Sequence, residues 1–161
     1  QGYYNSDNTI VTNLNSFING PLEEERTYFS TRAQALLSQA ADLRAQADQL
    51  RSAGEAEQAQ SLEFAADDCE LQAAQINENR LPDLDEAKQI LNTDKQDLSN
   101  LMANNFDGQI TTLQNWENHP RLVSVVGINT IIRELNRQID ERTELIGEDK
   151  RGFSRDTGVY P

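Results

Sequence analysis

The side chains of this chain that could hold a cation or move a proton are mostly carboxylates. Asp67, Asp68 and Glu70 form one local cluster, and Asp83, Asp85 and Glu86 form another. Crowded carboxylates repel one another, and Ca2+ or protons would relieve that repulsion and allow closer packing. The six residues are therefore candidates for weak, distributed Ca2+ binding, set against the plainer expectation of a solvated helix face. Asn105, Asp107, Gly108 and Ile110 imitate the middle of an EF-hand loop, where Gly permits a sharp turn. The first ligand position falls on Ala103 and the last on Gln114 instead of a bidentate Glu, so two strong oxygen ligands are missing. The single His119 cannot supply a two-His metal site and, between Asn118 and Pro120, suits a turn or cap. The single Cys69 cannot build an internal disulfide framework and suits a small core position. No G-x-S-x-G elbow, phosphate-cradling Gly loop or H-E-x-x-H occurs, and a di-iron bundle would require a Glu-x-x-His pair from each of two helices. The expectation is a protein that is not an enzyme, with no catalytic residue and no cofactor beyond weak Ca2+.

The 161-residue chain carries 27 acidic and 14 basic side chains, a formal net charge of -13. With three Lys, eleven Arg and no basic run, it has no means of neutralising nucleic-acid phosphates, so nucleic acid is excluded as a partner. Its 37% hydrophobic content suffices for a core, and no apolar run approaches the roughly 18 residues of a membrane span.

The elements that must position these residues are helices. Phe29, Ala33, Leu36, Ala40, Leu43, Ala47 and Leu50 step alternately by four and three, continuing from Leu22, which is a heptad seam in which large residues alternate with Ala. After Gly54, which suits a helix C-terminus, the design returns as Ala59, Leu62, Ala66, Cys69, Ala73 and Ile76, with Glu55 and Glu57 suited to the new N-terminus. Matching Ala rows allow a closer approach than Leu against Leu, so an antiparallel, Ala-faced pair is expected. A boundary at Asn77 to Asp83, marked by Pro82, precedes a third long helix with Leu84, Ala87, Leu91, Leu98 and Leu101, interrupted by Asp94 at a seam edge or paired with Arg. That helix frays near Asn104-Asn105. Asp107-Gly108 signals a turn, followed by a short amphipathic helix through Ile110, Leu113 and Trp116, with Trp116 sealing a bundle end. A fourth long helix from about Arg121 to Ile146 has Val125, Ile128, Ile132, Leu135, Ile139 and Ile146 inside, and Arg133, Glu134, Arg137, Gln138 and Glu141 outside. A short helix capped by Asp7, with Ile10, Leu14, Phe17 and Ile18, ends at Gly20-Pro21.

The fold class expected is all-α, an elongated antiparallel bundle or coiled coil of about four long helices with short accessory helices and extended terminal arms. Its divisions are an N-terminal arm over residues 1–6, a helical bundle over 7–146 and a C-terminal arm over 147–161. The core expected is Phe29, Leu36, Leu43, Leu62, Leu91, Leu98, Ile132 and Leu135, with Ala40 and Ala66 setting the close helix approach. Tyr3 and Tyr4 in the first arm, and Phe153, Val159 and Tyr160 in the second, give enough apolar and aromatic surface to dock on a neighbour. A chain that starts Gln1-Gly2 without Met is expected to have been cut from a precursor or trimmed.

The stretch Phe64-Ala65-Ala66-Asp67-Asp68-Cys69-Glu70-Leu71, followed by Ile76-Asn77-Glu78, Leu84-Asp85-Glu86-Ala87 and Leu91, resembles the ciliate trichocyst matrix and granule lattice proteins, in which a Cys opens a long acidic heptad region. The resemblance covers roughly a third of the chain. It implies a structural subunit of a crystalline secretory lattice that responds to Ca2+, with copies of itself or related subunits as partners and the granule lumen or extracellular space as its location. The competing expectations are a virion decoration or connector protein, and a helical adaptor or ligand-binding bundle with a cavity ringed by Trp116 and Phe106.

Overall fold

A computed structural model describes the backbone of residues 2–100 and 106–141 and the side chains of residues 9–95, 97–98 and 107–141. The described residues are helical apart from short turns, with no strand among them. The elements are α1 (Gly2–Phe17), a π-helical turn (Ile18–Leu22), α2 (Glu23–Ser52), α3 (Ala56–Gln75), a second π-helical turn (Ile76–Arg80), α4 (Leu81–Asn100), α5 (Phe106–Glu117), α6 (Pro120–Val123) and α7 (128–141). The chain is all-α, as its periodicity predicts. Its contacts divide it into two compact units, one formed by Glu23–Asp85 and the other by Gln1–Leu22 with Glu86–Pro161, where one bundle over 7–146 was expected.

The Glu23–Asp85 unit is a helical hairpin. α2 is rich in Ala, Gln, Leu, Arg and Glu, all good helix formers, and Arg51 sits in its last turn, as the helix dipole favours. It stops because Gly54 adopts φ +82, a left-handed conformation that other residues resist. The Gly54 N–H then bonds the Arg51 carbonyl and the Glu55 N–H the Leu50 carbonyl, which is a Schellman stop, and Glu55 begins α3.

Along the hairpin, each step of seven up α2 meets a step of seven back along α3. Ala33 corresponds to Ala73, Ala40 to Ala66 and Ala47 to Ala59, and all six are buried. Ala33, Leu36, Ala40, Ala66, Cys69 and Ala73 form one cluster, with Leu43 and Ile76 packed against it. Burial follows the line of closest approach. Ala40 and Ala66 are 2% and 0% exposed, while the expected core residues Phe29, Leu43 and Leu62 are only half-buried, because a two-helix layer leaves the outer parts of large side chains in water. One more step of seven past Ala33 and Ala73 reaches Arg26 and Arg80. Two guanidiniums cannot share a seam that two methyls fill. Arg26 turns to Asp85, and Arg80 to Glu25 and over the Phe29 ring, 5.2 Å from its centroid, where the backbone widens into the π turn Ile76–Arg80.

Several expected breaks are not breaks. Gly20-Pro21 does not end a helix: Pro21 lies inside the first π turn, whose wider loop accommodates the missing Pro N–H between the buried Ile18 and Leu22. The boundary at Asn77 to Asp83 is the second π turn, and the helix runs on through it into α4, with Pro82 just past the wider turn, which accommodates its missing N–H. Asp107-Gly108 is not a turn but the first turn of α5, where Asp107 suits the dipole. Asp7 is not an N-cap, because α1 begins at Gly2, so residues 2–6 are helical backbone instead of an extended arm. Conversely, the long helix expected from Arg121 is interrupted: α6 ends at Val123, and Gly127 takes φ +85 before α7 starts. A Cβ at Gly127 would also meet Phe17 Cε1 at 3.4 Å.

In the other unit, α1 buries Ile10, Leu14 and Phe17, α4 buries Ala87, Leu91 and Leu98, α5 buries Leu113 and Trp116, and α7 buries Ile128, Ile132, Leu135 and Ile139. Polar bonds tie these helices together: Lys95 to Asn15 at 2.7 Å, the Gln109 amide to the Leu98 carbonyl at 2.8 Å, and Arg121 to Glu86. Replacing Ala40 with Leu should overpack the hairpin and destabilise it by about 1 to 3 kcal/mol. Urea unfolding checks this, and an unchanged midpoint would contradict the Ala seam.

Candidate functional site

Four of the six carboxylates singled out for Ca2+ are occupied by arginines, Asp67, Glu70 and Asp85 within the Glu23–Asp85 hairpin and Glu86 by Arg121 of α6. Arg44 on α2 reaches both Glu70 and Asp67 on α3, with 2.7 Å to Asp67 Oδ1, and these two hydrogen bonds hold its guanidinium well above its ordinary pKa. One heptad away, Arg51 reaches Glu63. Arg26 makes a two-armed pair with Asp85, at 2.7 and 3.3 Å, which also raises its pKa. Glu86 is taken by Arg121, and Asp83 also has a partner. Asp68 differs: it accepts a 2.7 Å bond from the Gln72 amide and meets no cation among the described residues. No three His, Cys, Asp or Glu side chains converge to hold a metal among the described residues. Exposed pairs of this kind add little to stability and report a register that the Ala seam sets.

Asp107, Gly108 and Ile110 lie in helix α5, so they do not form the loop that an EF-hand needs, and Asn105 lies outside the described residues. Cys69 is buried in the Ala seam as a small core residue. His119 sits at the N-cap position of α6 in extended backbone and makes no side-chain cap, and its Nδ1 is buried without a partner among the described residues. Trp116 is 1% exposed and its indole Nε1–H donates to Asp94 Oδ2 at 2.6 Å; the side chain of Phe106, the other residue of the expected cavity, lies outside the described ones. Of the two expectations for Asp94, a seam edge or an Arg partner, the half-buried carboxylate fits the first, and its partner is an indole. Gln138, expected outside, is 7% exposed, with its amide donating to Glu134. Tyr3 and Tyr4 lie in the backbone of α1 with side chains outside the described ones, and Phe153, Val159 and Tyr160 lie outside the described residues altogether.

Two surfaces remain that can do something. The first is the outward face of α3, where Phe64 and Leu71, one heptad apart, are 62% and 58% exposed, with Asp67 and Asp68 between them. Their spacing places them opposite the Ala row, so the seam cannot cover them. Tyr28 and Leu37 on α2 are also exposed. The second is an open groove of about 670 Å³ in the other unit, between α1 and α7. Phe17, Pro21 and Ile131 supply apolar lining, and Arg133, Glu134 and Arg137 supply the charges. Arg137 is shared by Glu134 and Glu141, whereas Arg133 makes no ion pair among the described residues. The hydrogen bonds from Arg137 and then Gln138 lower the Glu134 carboxyl from its ordinary 4.5 to about 2. Neither surface was expected from the sequence as a site. The signal for the first was there, in apolar residues seven apart on the face away from the Ala row.

Two measurements check this geometry. Asp94→Ala leaves the buried Trp116 N–H without its acceptor and should destabilise the fold by about 1 to 3 kcal/mol, followed by Trp fluorescence in denaturant; no loss would contradict the bond. A lowered carboxyl pKa favours the folded state above the unfolded value near 4.5, and that benefit disappears as pH falls towards 2. Arg137→Gln should therefore move the Glu134 titration back up towards 4.5 in carboxyl NMR spectra, and an unmoved titration would contradict the pairing. Comparison of the chain with protein-family models, with curated proteins and with solved structures finds no match, so its function has to be argued from these two surfaces.

Proposed function

We propose that this chain is a non-enzymatic structural subunit of a protein assembly, such as a secretory-granule lattice or a filament, which associates with copies of itself or related subunits through helical faces and its terminal segments. The observation that carries this reading is the pair Phe64 and Leu71, large apolar side chains left in water on a hairpin whose own seam is already filled. Exposed apolar residues in register on an otherwise charged helix favour a partner helix. The lattice form of the proposal draws on the resemblance to trichocyst matrix proteins, which would place the chain in a granule lumen or outside the cell; a virion connector would use the same surfaces. The groove between α1 and α7 favours a second reading, a helical bundle that takes a small amphipathic ligand, since its volume is in the range of ligand sites.

Sedimentation velocity over rising protein concentration separates the two. The assembly reading predicts species larger than a monomer whose share grows with concentration. Ca2+ should act no more strongly than Mg2+, because Asp67, Glu70, Asp85 and Glu86 already hold arginines. A monomer at every concentration would contradict it.

A further inference from the structure

The assembly reading leaves open which surface meets which. We propose that the groove between α1 and α7 of one copy receives the outward face of α3 of a second copy, with Asp68 against Arg133 and with Phe64 and Leu71 over Phe17, Pro21 and Ile131. This inference rests on the assembly reading and names its contact.

Charge decides against the simpler arrangement of two α3 faces back to back. Each carries Asp68, which meets no cation among the described residues, between its apolar residues, in a chain of net charge -13, so two such faces repel. The complementary surface must be apolar with a spare cation, and the groove is that: Arg133 lacks an ion pair among the described residues, as Asp68 does. The dimensions agree. Phe64 and Leu71 stand about 10.5 Å apart along α3 at 1.5 Å per residue. The groove is lined along α7 from Thr130 to Arg137, which is the same seven-residue run. Its walls are rows of helical spacing, Asn13, Ser16 and Phe17 on α1 and Thr130, Ile131 and Glu134 on α7, which is how two helices seat a third. Two different patches joined head to tail do not require closure, so the contact can repeat from copy to copy into an open array.

Charge exchange on the full chain tests this by sedimentation velocity, with circular dichroism confirming that each variant is folded. Wild type should form concentration-dependent assemblies. Arg133→Glu alone and Asp68→Arg alone should each weaken association at least tenfold. The chain carrying both substitutions should recover it, because the exchange restores an opposed pair with its signs reversed. If wild type assembles and the single variants assemble equally well, this contact is wrong and the assembly reading stands. The contact is likewise wrong if only Arg133→Glu has an effect, which would give the groove another occupant, or if the double variant fails to recover. A wild-type monomer at all concentrations overturns the assembly reading and this contact with it.

Discussion

The close approach of two Ala rows is the constraint on which the hairpin depends. Methyl groups at every seventh residue of α2 and α3 let the backbones come nearer than larger side chains would, and that nearness fixes the register, because a slip of three or four residues would set Leu36, Leu43 or Leu62 against an Ala row. Register in turn decides which charges meet. Arg44 falls between Glu70 and Asp67, and Arg51 on Glu63, because each lies a fixed offset from the Ala row. The same fact determines what is left over. A seam that narrow covers one face of α3 and leaves Phe64 and Leu71 on the opposite one.

The seam ends for a reason that can be stated in residues. Where the Ala rows would continue, the chain has Arg26 and Arg80, and the helix opens into a π turn while each guanidinium finds a carboxylate. The Arg80–Glu25 pair is the least exposed of the ion pairs described, and the stacking of Arg80 on Phe29 gives its apolar surface a partner as well. One π turn contains a Pro and the other ends just before one, which suits the role of wider helix as a way past a local conflict instead of a stop.

Much of the hairpin was legible in the sequence, since the alternation of Ala with Leu, Phe or Cys states both the helix period and the closeness of the partner. Cys69 as a small core residue and Gly54 as the stop follow from the same pattern. What was not legible depended on tertiary context. Pro21 and Pro82 vote locally for a break, but flanking buried residues such as Ile18, Leu22 and Leu84 hold the chain helical. Gly127 looked like one residue of a long helix, and only its place beside Phe17 and its positive φ make it a break. Gln138 is polar and was placed outside by type, yet it sits in the interior next to Leu135 and Ile139 in sequence spacing. The candidate carboxylates were correctly located on helices, but the pairing of Asp67, Glu70 and Asp85 with arginines follows from the packing of the hairpin and that of Glu86 from the placing of Arg121, which composition does not reveal. The groove is formed by residues more than a hundred positions apart, so no local pattern announces it.

Cross-linking through the seam tests the central claim most directly. A disulfide requires Cα atoms roughly 4.4 to 6.8 Å apart, a separation that facing residues reach only if the helices touch through small side chains. In a chain with Cys69→Ala, cysteines introduced by Ala40→Cys and Ala66→Cys should close an intramolecular bond under mild oxidation, readable as a faster-migrating monomer on a non-reducing gel. Formation of intermolecular bonds alone, or of none while both thiols remain reactive, would contradict the Ala seam and the surfaces it leaves exposed.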